Sequence, residues 1–279
     1  MTGLTDWATA SGDIWARRWK DTDAGLAGLA PHLQSAVLAN APTKPFRAFE
    51  VGCGPGSTTI GFAEACAAAS IVACDISPAL VEVARERTAG LPQVRVLAGD
   101  AQHLAESKGP FDLLYSRHGV MFFPDPVEAF QRLRRGTGDG GSLVFSCFRD
   151  WESNPWASEL SRAVAGRELP SPDREPSGFA FADPDYVDQI LRKSGWIDVE
   201  RTAVDFSYVA GTGENGVDRA ISFLSELGPA SRVLESVPPE ERQAALGRMR
   251  SVIEGHRDGE AVSFPAAAWI WQARAGVRR

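Results

Sequence analysis

The chain has 279 residues, of which 29 are Lys or Arg and 36 are Asp or Glu, so its formal net charge is −7. An acidic chain lacks the basic face that sequence-independent binding to phosphate backbones requires, which disfavours nucleic-acid substrates. Hydrophobic residues at 44% and charged residues at 23% are typical of a globular protein. No run of about 18 apolar residues predicts a membrane span, and no apolar signal-peptide core follows Met1. The four cysteines lack metal-ligand or disulfide spacing, so the pattern predicts a soluble, cytoplasmic protein without a metal site.

Residues 1–45 are predicted to form an N-terminal helical cap that ends at a proline-containing linker. In residues 46–150, short apolar runs alternate with helical patterns, which predicts a parallel sheet with crossover helices. The predicted strands are Phe46–Val51, Ser70–Cys74, Val94–Ala98, Phe111–Ser116 and Ser142–Cys147. Because these runs are almost continuously apolar, we expect helices to cover both faces of the sheet.

Residues 151–279 are expected to complete the sheet and to carry helical insertions. Apolar and polar residues alternate around residues 204–208, and a last strand is predicted at about 262–274. Within about 151–180, a helical pattern ends near Gly166 and a proline-rich loop follows. Residues 215–256 look mostly helical and are too long for a hairpin loop. We expect both segments to form a substrate lid, since insertions at the carboxyl edge of such a sheet usually determine specificity. A structural wrap or a dimer contact is the alternative.

A glycine-rich loop follows the first predicted strand, in the sequence Glu50-Val-Gly-Cys-Gly-Pro-Gly-Ser. Gly52, Gly54 and Gly56 allow a sharp turn and a close approach of a ligand to backbone amides. The helix that begins after them favours a negatively charged ligand group such as a carboxylate. The third glycine comes one position too early for the dinucleotide-binding pattern GxGxxG. A carboxylate at Glu50 would also lie poorly beside a pyrophosphate but well beside an ammonium group. The glycines alone also fit a turn that binds nothing.

Carboxylates also end the next two predicted strands. Asp75 ends the second strand, where it can accept hydrogen bonds from both hydroxyls of a ribose. The alternative is a helix cap, but Ser77 already provides one. Asp100 follows the third strand and can accept from the exocyclic amine of adenine, while the Ala101 amide donates to a ring nitrogen. Glu50 and these two acids end successive strands, at the edge where open α/β sheets bind ligands.

These motifs resemble the class I S-adenosylmethionine-dependent methyltransferases, in particular the small-molecule branch with the ubiquinone and menaquinone methyltransferases. The resemblance covers about residues 46–150 and rests on Asp75 and on the segments Glu50–Gly56, Gly99–Ala101, Phe111–Arg117 and Ser116–Pro126. It implies a Rossmann-like, seven-stranded, mostly parallel sheet whose last strand is antiparallel and lies beside the sixth. It also implies an enzyme that transfers a methyl group from S-adenosylmethionine to a small-molecule acceptor and releases S-adenosylhomocysteine.

The resemblance implies one set of cofactor-binding positions: Glu50, Gly52, Gly54, Gly56, Asp75, Ile76, Asp100, Ala101, Ser116 and Trp19. Within it, Glu50 would lie near the methionyl ammonium, Asp75 on the ribose and Asp100 with Ala101 at the adenine. In this family an N-terminal helix closes over the cofactor, so the ring of Trp15 or Trp19 can face the sulfonium. These two tryptophans are four residues apart, which would place them on one helical face and also fits core packing.

His118 follows the tip of the fourth predicted strand, where this family presents the residues nearest the transferable methyl group. Imidazole titrates close to neutrality, so His118 is the candidate catalytic residue that removes a proton from the acceptor. An acidic acceptor needs no base, and His118 can instead line the pocket or cap the helix at Asp125. The strand lacks the Asn/Asp-Pro-Pro-aromatic motif of enzymes that methylate amino groups of nucleic acids, which also argues against nucleic-acid substrates.

Two other functions stay open on these patterns. One is an NAD(P)-binding Rossmann oxidoreductase, which the early third glycine and Glu50 disfavour. The other is a non-catalytic, cofactor-binding partner subunit. The acceptor nucleophile is left open between oxygen, nitrogen and carbon, and the oligomeric state is not predicted.

Overall fold

One eight-stranded sheet organises the computed structural model, which describes residues 9–277. Its strands are β1 (Phe46–Val51), β2 (Ala69–Asp75), β3 (Val94–Ala98), β4 (Phe111–Arg117), β5 (Thr137–Phe148), β6 (Trp196–Gly211), β7 (Arg257–Asp258) and β8 (Ala261–Ala275). Seven strands form the path β3-β2-β1-β4-β5-β8-β6, and the two-residue β7 pairs with β8. Strands β1 to β5 are parallel neighbours, and β8 runs antiparallel between β5 and β6. The predicted mostly parallel sheet with an antiparallel last strand beside the sixth is therefore confirmed.

Residues 9–277 contain twelve α-helices. They are α1 (Ala10–Arg17), α2 (Trp19–Gly25), α3 (Ala30–Ala39), α4 (Ser57–Ala65), α5 (Pro78–Thr88), α6 (Ala101–Lys108), α7 (Pro126–Arg135), α8 (Ser158–Ala165), α9 (Pro184–Lys193), α10 (Gly216–Leu224), α11 (Pro229–Ser236) and α12 (Arg242–Gly255). A short 3₁₀ turn, Val120–Phe122, follows β4. Among these helices, none is both long and apolar enough to cross a bilayer. The first eight residues of the predicted cap lie outside the described part of the chain.

Alternation along the strands buries both faces of the sheet. Phe49 of β1 packs on Phe111 of β4 with ring centroids 4.9 Å apart, within the larger apolar cluster. Tyr115 of β4 belongs to a second cluster, where its ring lies 5.1 Å from that of Phe62 on α4. Leu114, the neighbour of Tyr115 on β4, belongs to the larger cluster, and adjacent residues of a strand point to opposite faces, so these two clusters cover the two faces of the sheet. This agrees with the continuous apolar character of the strands.

The boundaries of β5 differ most from the sequence prediction. The strand begins at Thr137, ahead of the predicted Ser142, and runs through a segment with three glycines. Glycine weakens a strand interior, which is why the pattern placed the start later. In the structure Thr137 pairs with Phe111, and a register shift before Leu113 accommodates the residues between.

The N-terminal helices pack against the C-terminal part of the chain. A Cβ atom at Gly25 would lie 2.7 Å from the ring of Tyr208 on β6, so only glycine permits this approach of α2. Between α1 and α2, Arg18 donates to the backbone oxygen of Ser222, near the end of α10, and to the carboxylate of Glu226, just after that helix. The N-terminal helices therefore contact both β6 and the helical insertion of residues 215–256.

Candidate functional site

A cavity of about 860 Å³ opens at the carboxyl edge of the parallel strands. Its wall includes the β1–α4 loop (Val51–Pro55), the end of β2 (Cys74–Ile76), Gly99–Ala101 and Arg117–Gly119, which together we call the glycine-loop half. Strand β1 lies between β2 and β4, so the strand order reverses at this point. Open α/β sheets bind ligands at such switch points, and small-molecule sites typically have volumes of about 300–1,000 Å³.

The glycine loop adopts a backbone that other residues rarely adopt. Gly52 and Gly54 have φ angles of +64° and +53°, in the left-handed region. A Cβ atom at Gly52 would lie 3.1 Å from Cα of Gly119, whereas one at Gly54 would meet no atom within 4 Å. Gly54 therefore faces open space in the cavity wall. Gly56 precedes α4 and packs near Ala84 of α5, outside the lining.

Asp75 lines the cavity beside this loop. Its side chain is almost buried, and its carboxylate accepts hydrogen bonds from the amides of Gly54 at 2.8 Å and Ser77 at 2.9 Å. Burial raises the pKa of Asp75, although both amide hydrogen bonds oppose that change. A carboxylate has about four acceptor positions, so two remain for ribose hydroxyls. Ile76 lines the cavity next to it, and Ser77 caps α5 by accepting from the Leu80 amide.

Asp100 and Ala101 also line the cavity, at the end of β3. The Asp100 carboxylate caps α6 by accepting from the Gln102 amide at 2.9 Å. Its second oxygen lies 3.1 Å from Nδ1 of His103. The capping role is thus present in the structure, and contacts with an adenine stay a prediction.

Glu50 does not belong to the cavity lining. It is only 1% exposed, and its carboxylate accepts a hydrogen bond from the Thr59 hydroxyl on α4. Burial raises the pKa of Glu50 to about 7, while Thr59, Tyr115 and Arg117 act in the opposite direction. The carboxylate is held against α4 in this structure, and its contact with an ammonium group stays a prediction.

Ser116 is a structural link between strands. Its hydroxyl donates to the carbonyl oxygen of Val51 at 2.7 Å and accepts from the amide of Gly119 at 3.1 Å. It is fully buried and absent from the cavity lining. The predicted cofactor position therefore acts, in this structure, by fastening the end of β4 to the end of β1.

The two N-terminal tryptophans take different places. Trp15 lines the cavity, whereas Trp19 does not, and the guanidinium carbon of Arg87 lies 4.0 Å from the centre of the Trp19 ring. The prediction that Trp15 and Trp19 share one helical face is wrong, because α1 ends at Arg17 and a new helix begins at Trp19. Of the pair, Trp15 is the ring positioned to contact a bound molecule.

An ion-pair network joins α2 to the cavity wall. Asp23 of α2 accepts hydrogen bonds from Arg117 at 2.9 Å, from Arg87 at 3.0 Å and from the hydroxyl of Ser57. Arg117 lines the cavity, and its side chain is only 10% exposed. This network could not be predicted from the sequence, because its members are far apart in the chain and single charges carry no pairing signal.

His118 lines the cavity directly after β4. It has a φ of +58° and lies 2.9 Å, through Nδ1, from the hydroxyl of Ser146. Burial lowers the pKa of His118 to about 3, and the charge of Arg117 adds to this effect. The imidazole therefore does not titrate near neutrality, contrary to the expectation from its free pKa.

The rest of the cavity wall is rich in aromatic side chains, which the sequence patterns did not predict individually. This aromatic half contains Phe148, Trp151, Trp156, Phe179, Tyr208 and Phe223. Trp156 and Tyr208 stack with ring centroids 4.6 Å apart, and Tyr208 stacks on Phe223 at 6.5 Å. Most of these residues belong to segments 151–180 and 215–256. The density of aromatic residues between 148 and 181 was the available signal.

Comparisons with known proteins agree with this geometry. A family profile described as a methyltransferase domain matches residues 48–141. Trans-aconitate 2-methyltransferase from Methylobacterium radiotolerans is 29% identical over 233 residues, covering 78% of this chain and 82% of that protein. Demethylmenaquinone methyltransferase from Paenarthrobacter aurescens is 28% identical over 165 residues, covering 55% of this chain and 63% of that protein.

The fold also matches a solved structure, phosphoethanolamine N-methyltransferase 2 from Haemonchus contortus in complex with S-adenosyl-L-methionine. The TM-score is 0.57 at 15% identity, and the match covers 99% of this chain and 61% of that one. The matched domain contains the glycine loop at the carboxyl edge of the sheet, and the strand order agrees with it. Residues 48–141 form a methyltransferase domain, and the chain is similar to the class I S-adenosylmethionine-dependent methyltransferases.

Proposed function

We propose that the chain transfers the methyl group of S-adenosylmethionine to a small molecule bound in the aromatic half of the cavity. The observation that carries this proposal is the cradle at Gly54, where a Cβ atom would enter open space beside the Asp75 carboxylate. A backbone that must stay without a side chain fits the close approach of a ligand. The carboxylate next to it fits the hydroxyls of a ribose.

The residues of the glycine-loop half fit the cofactor. Gly54 and its neighbours would hold the methionyl part, Asp75 the ribose, and Asp100 with Ala101 the adenine. When bound, S-adenosylmethionine supplies a methyl group on a positively charged sulfur, and that methyl group is already electrophilic. The protein's part is then to align the acceptor and to exclude water. The aromatic half provides an apolar wall for both tasks.

The proposal includes a role for the flanking segments. Residues 1–45 act as a cap over the cofactor, and 151–180 with 215–256 form the substrate lid over a core of residues 46–150. Support comes from the cavity lining, which includes Trp15 from the first segment, Trp151 from the second and Phe223 from the third. The acidic balance of the chain supports a small molecule rather than a nucleic acid as acceptor, and a cytoplasmic location is part of the proposal.

The first test is cofactor binding by calorimetry, with Gly54→Ala and Gly140→Ala as a matched pair. Both glycines have positive φ angles, +53° and +73°, and a Cβ atom at either meets no protein atom within 4 Å. Only Gly54 lines the cavity. We expect S-adenosylhomocysteine to bind the unaltered protein and the Gly140 variant equally, and the Gly54 variant at least about tenfold more weakly.

Binding of NAD(H) in place of S-adenosylhomocysteine would contradict the proposal and favour an oxidoreductase. If the Gly54 variant binds S-adenosylhomocysteine as tightly as the unaltered protein, Gly54 does not belong to the cofactor site. Turnover on a panel of small-molecule acceptors then separates an enzyme from a non-catalytic partner subunit, which would bind the cofactor without methylating anything.

A second prediction concerns His118, which we propose acts on the acceptor as a neutral imidazole. Because burial lowers its pKa to about 3, it stays uncharged from pH 5 upwards and is poorly matched to base catalysis at neutral pH. We expect His118→Phe to lower kcat/KM by up to about tenfold, the value of one hydrogen bond, with S-adenosylhomocysteine affinity unchanged. His118→Gln should recover part of the loss. A loss of about 10²–10⁴-fold in kcat, with an inflexion near pH 6.5 in the unaltered enzyme, would identify a base instead.

A further inference from the structure

Three buried polar atoms in the lining of the cavity have no hydrogen-bond partner among residues 9–277. They are Nε2 of His118, Nε1 of Trp151 and Oγ of Ser161, on side chains that are 8%, 4% and 0% exposed. Buried polar groups in proteins are nearly always paired, and each one left unpaired costs about 1–3 kcal/mol. Three such atoms around one cavity indicate groups that a bound molecule satisfies.

Ring contacts connect His118 and Trp151, which carry two of these atoms, into one wall. The His118 ring lies 4.2 Å from that of Phe148, and Phe148 lies 5.5 Å from Phe179. Phe179 in turn contacts Trp151 edge to face at 5.0 Å. Ser161 lies on α8 and lines the same cavity. The unpaired atoms of His118 and Trp151 are therefore set among flat aromatic surfaces, which favour stacking and edge contacts with another flat ring.

The charged side chains of the lining near these rings are mostly exposed, among them the carboxylates of Asp173, Glu226 and Glu235. Arg117 lines the cavity, but its guanidinium is held by Asp23 at 2.9 Å. Arg232, the other arginine of the lining, is exposed on α11. His118 is uncharged at neutral pH, since its pKa is about 3. A buried carboxylate needs a cation as partner, so this wall is a poor place for an acidic acceptor.

We propose that the acceptor is an uncharged, flat aromatic molecule with at least one oxygen, which accepts a hydrogen bond from Nε1 of Trp151. The indole N–H can only donate, so it selects an oxygen acceptor and rejects an ammonium group. Ser161 and His118 can each donate or accept, which suits hydroxyl and carbonyl groups. Trp151 and Ser161 are then specificity-determining residues. This inference rests on the proposed function, because the molecule must lie in the same cavity as the cofactor.

The test measures binding of three probes by calorimetry with S-adenosylhomocysteine at saturation. They are 1-naphthol, which is neutral and aromatic, trans-aconitate, which is acidic, and choline, which is cationic. We expect 1-naphthol to bind at least about tenfold more tightly than either other probe. Trp151→Phe keeps a ring but loses the N–H, so it should weaken 1-naphthol binding by roughly three- to tenfold. Trp269→Phe is the matched control, because Trp269 is half-buried on β8 outside the cavity.

Tighter binding of trans-aconitate or of choline would overturn the inference, and so would unchanged 1-naphthol affinity in Trp151→Phe. The probe preference of the unaltered protein decides the matter even where Trp151→Phe does not fold, and Ser161→Ala then serves as the second variant. Failure of S-adenosylhomocysteine to bind would overturn the proposed function itself. Normal S-adenosylhomocysteine binding without 1-naphthol binding would overturn only the aromatic acceptor.

Discussion

Asp75→Ala is expected to weaken S-adenosylhomocysteine binding by roughly a hundredfold. The carboxylate is proposed to accept hydrogen bonds from two ribose hydroxyls, and hydrogen bonds to a charged group are worth about 1.5–3 kcal/mol each. A loss of about 3 kcal/mol corresponds to roughly a hundredfold in Kd. The same carboxylate accepts from the amides of Gly54 and Ser77 at 2.8 Å and 2.9 Å, so its removal also loosens the loop that forms the cradle.

Calorimetry measures this loss of affinity, and two further variants test whether it comes from the Asp75 carboxylate. Asp75→Asn retains one acceptor oxygen and should lose less affinity than Asp75→Ala. Asp218→Ala removes a carboxylate that pairs with Arg250 on the exposed surface, and it should bind normally. If Asp75→Ala binds S-adenosylhomocysteine as tightly as the unaltered protein while its circular dichroism is native, the ribose assignment is wrong.

The carboxyl edge of the sheet could be predicted because its signals are local. The apolar runs of β1 and β3 match the predicted strands residue for residue, since they are bounded by sharp changes of polarity. In a parallel sheet the strand ends meet at one edge, so Asp75 and Asp100 had to lie close to the glycine loop. The cavity lining contains both.

The orientation of single side chains could not be predicted in the same way. Glu50 ends β1 as expected, but its carboxylate turns to Thr59, a contact that depends on how α4 packs. The break between α1 and α2 at Arg18 has no glycine or proline to mark it, so Trp15 and Trp19 were expected on one face. The aromatic half is a further case, because its rings come from separate segments that only the tertiary structure brings together.

Glu50→Gln is expected to raise the free energy of unfolding by about 3 kcal/mol above pH 7. Burial raises the pKa of Glu50 from 4.5 to about 7, and one pKa unit corresponds to about 1.4 kcal/mol. Between pH 4.5 and about 7 the folded state holds a proton that the unfolded state releases. The contribution of Glu50 to stability therefore falls as the pH rises through this window. Above pH 7 the buried carboxylate is charged and the full cost remains.

The contribution of His118 to the free energy of unfolding changes with pH in the opposite direction. Its pKa is lowered from 6.5 to about 3, so between these values the unfolded state holds a proton that the folded state lacks. Stability from this group therefore rises with pH between about 3 and 6.5, and the two contributions oppose each other between pH 4.5 and 6.5. His118→Phe removes one contribution and Glu50→Gln the other, so the difference between each variant and the unaltered protein isolates one group.

Denaturant unfolding at pH 5, 6, 7 and 8 measures both differences. The Glu50→Gln advantage should be small at pH 5, grow through pH 6 and level off above pH 7, because the proton is released over that window. Glu64→Gln is the matched control: Glu64 lies on α4 with an exposed side chain, so its curve should run parallel to that of the unaltered protein. A Glu50→Gln curve that also runs parallel would mean that the carboxyl titrates alike in the folded and unfolded states. In that case the burial against Thr59 and Tyr115 would not control its ionisation.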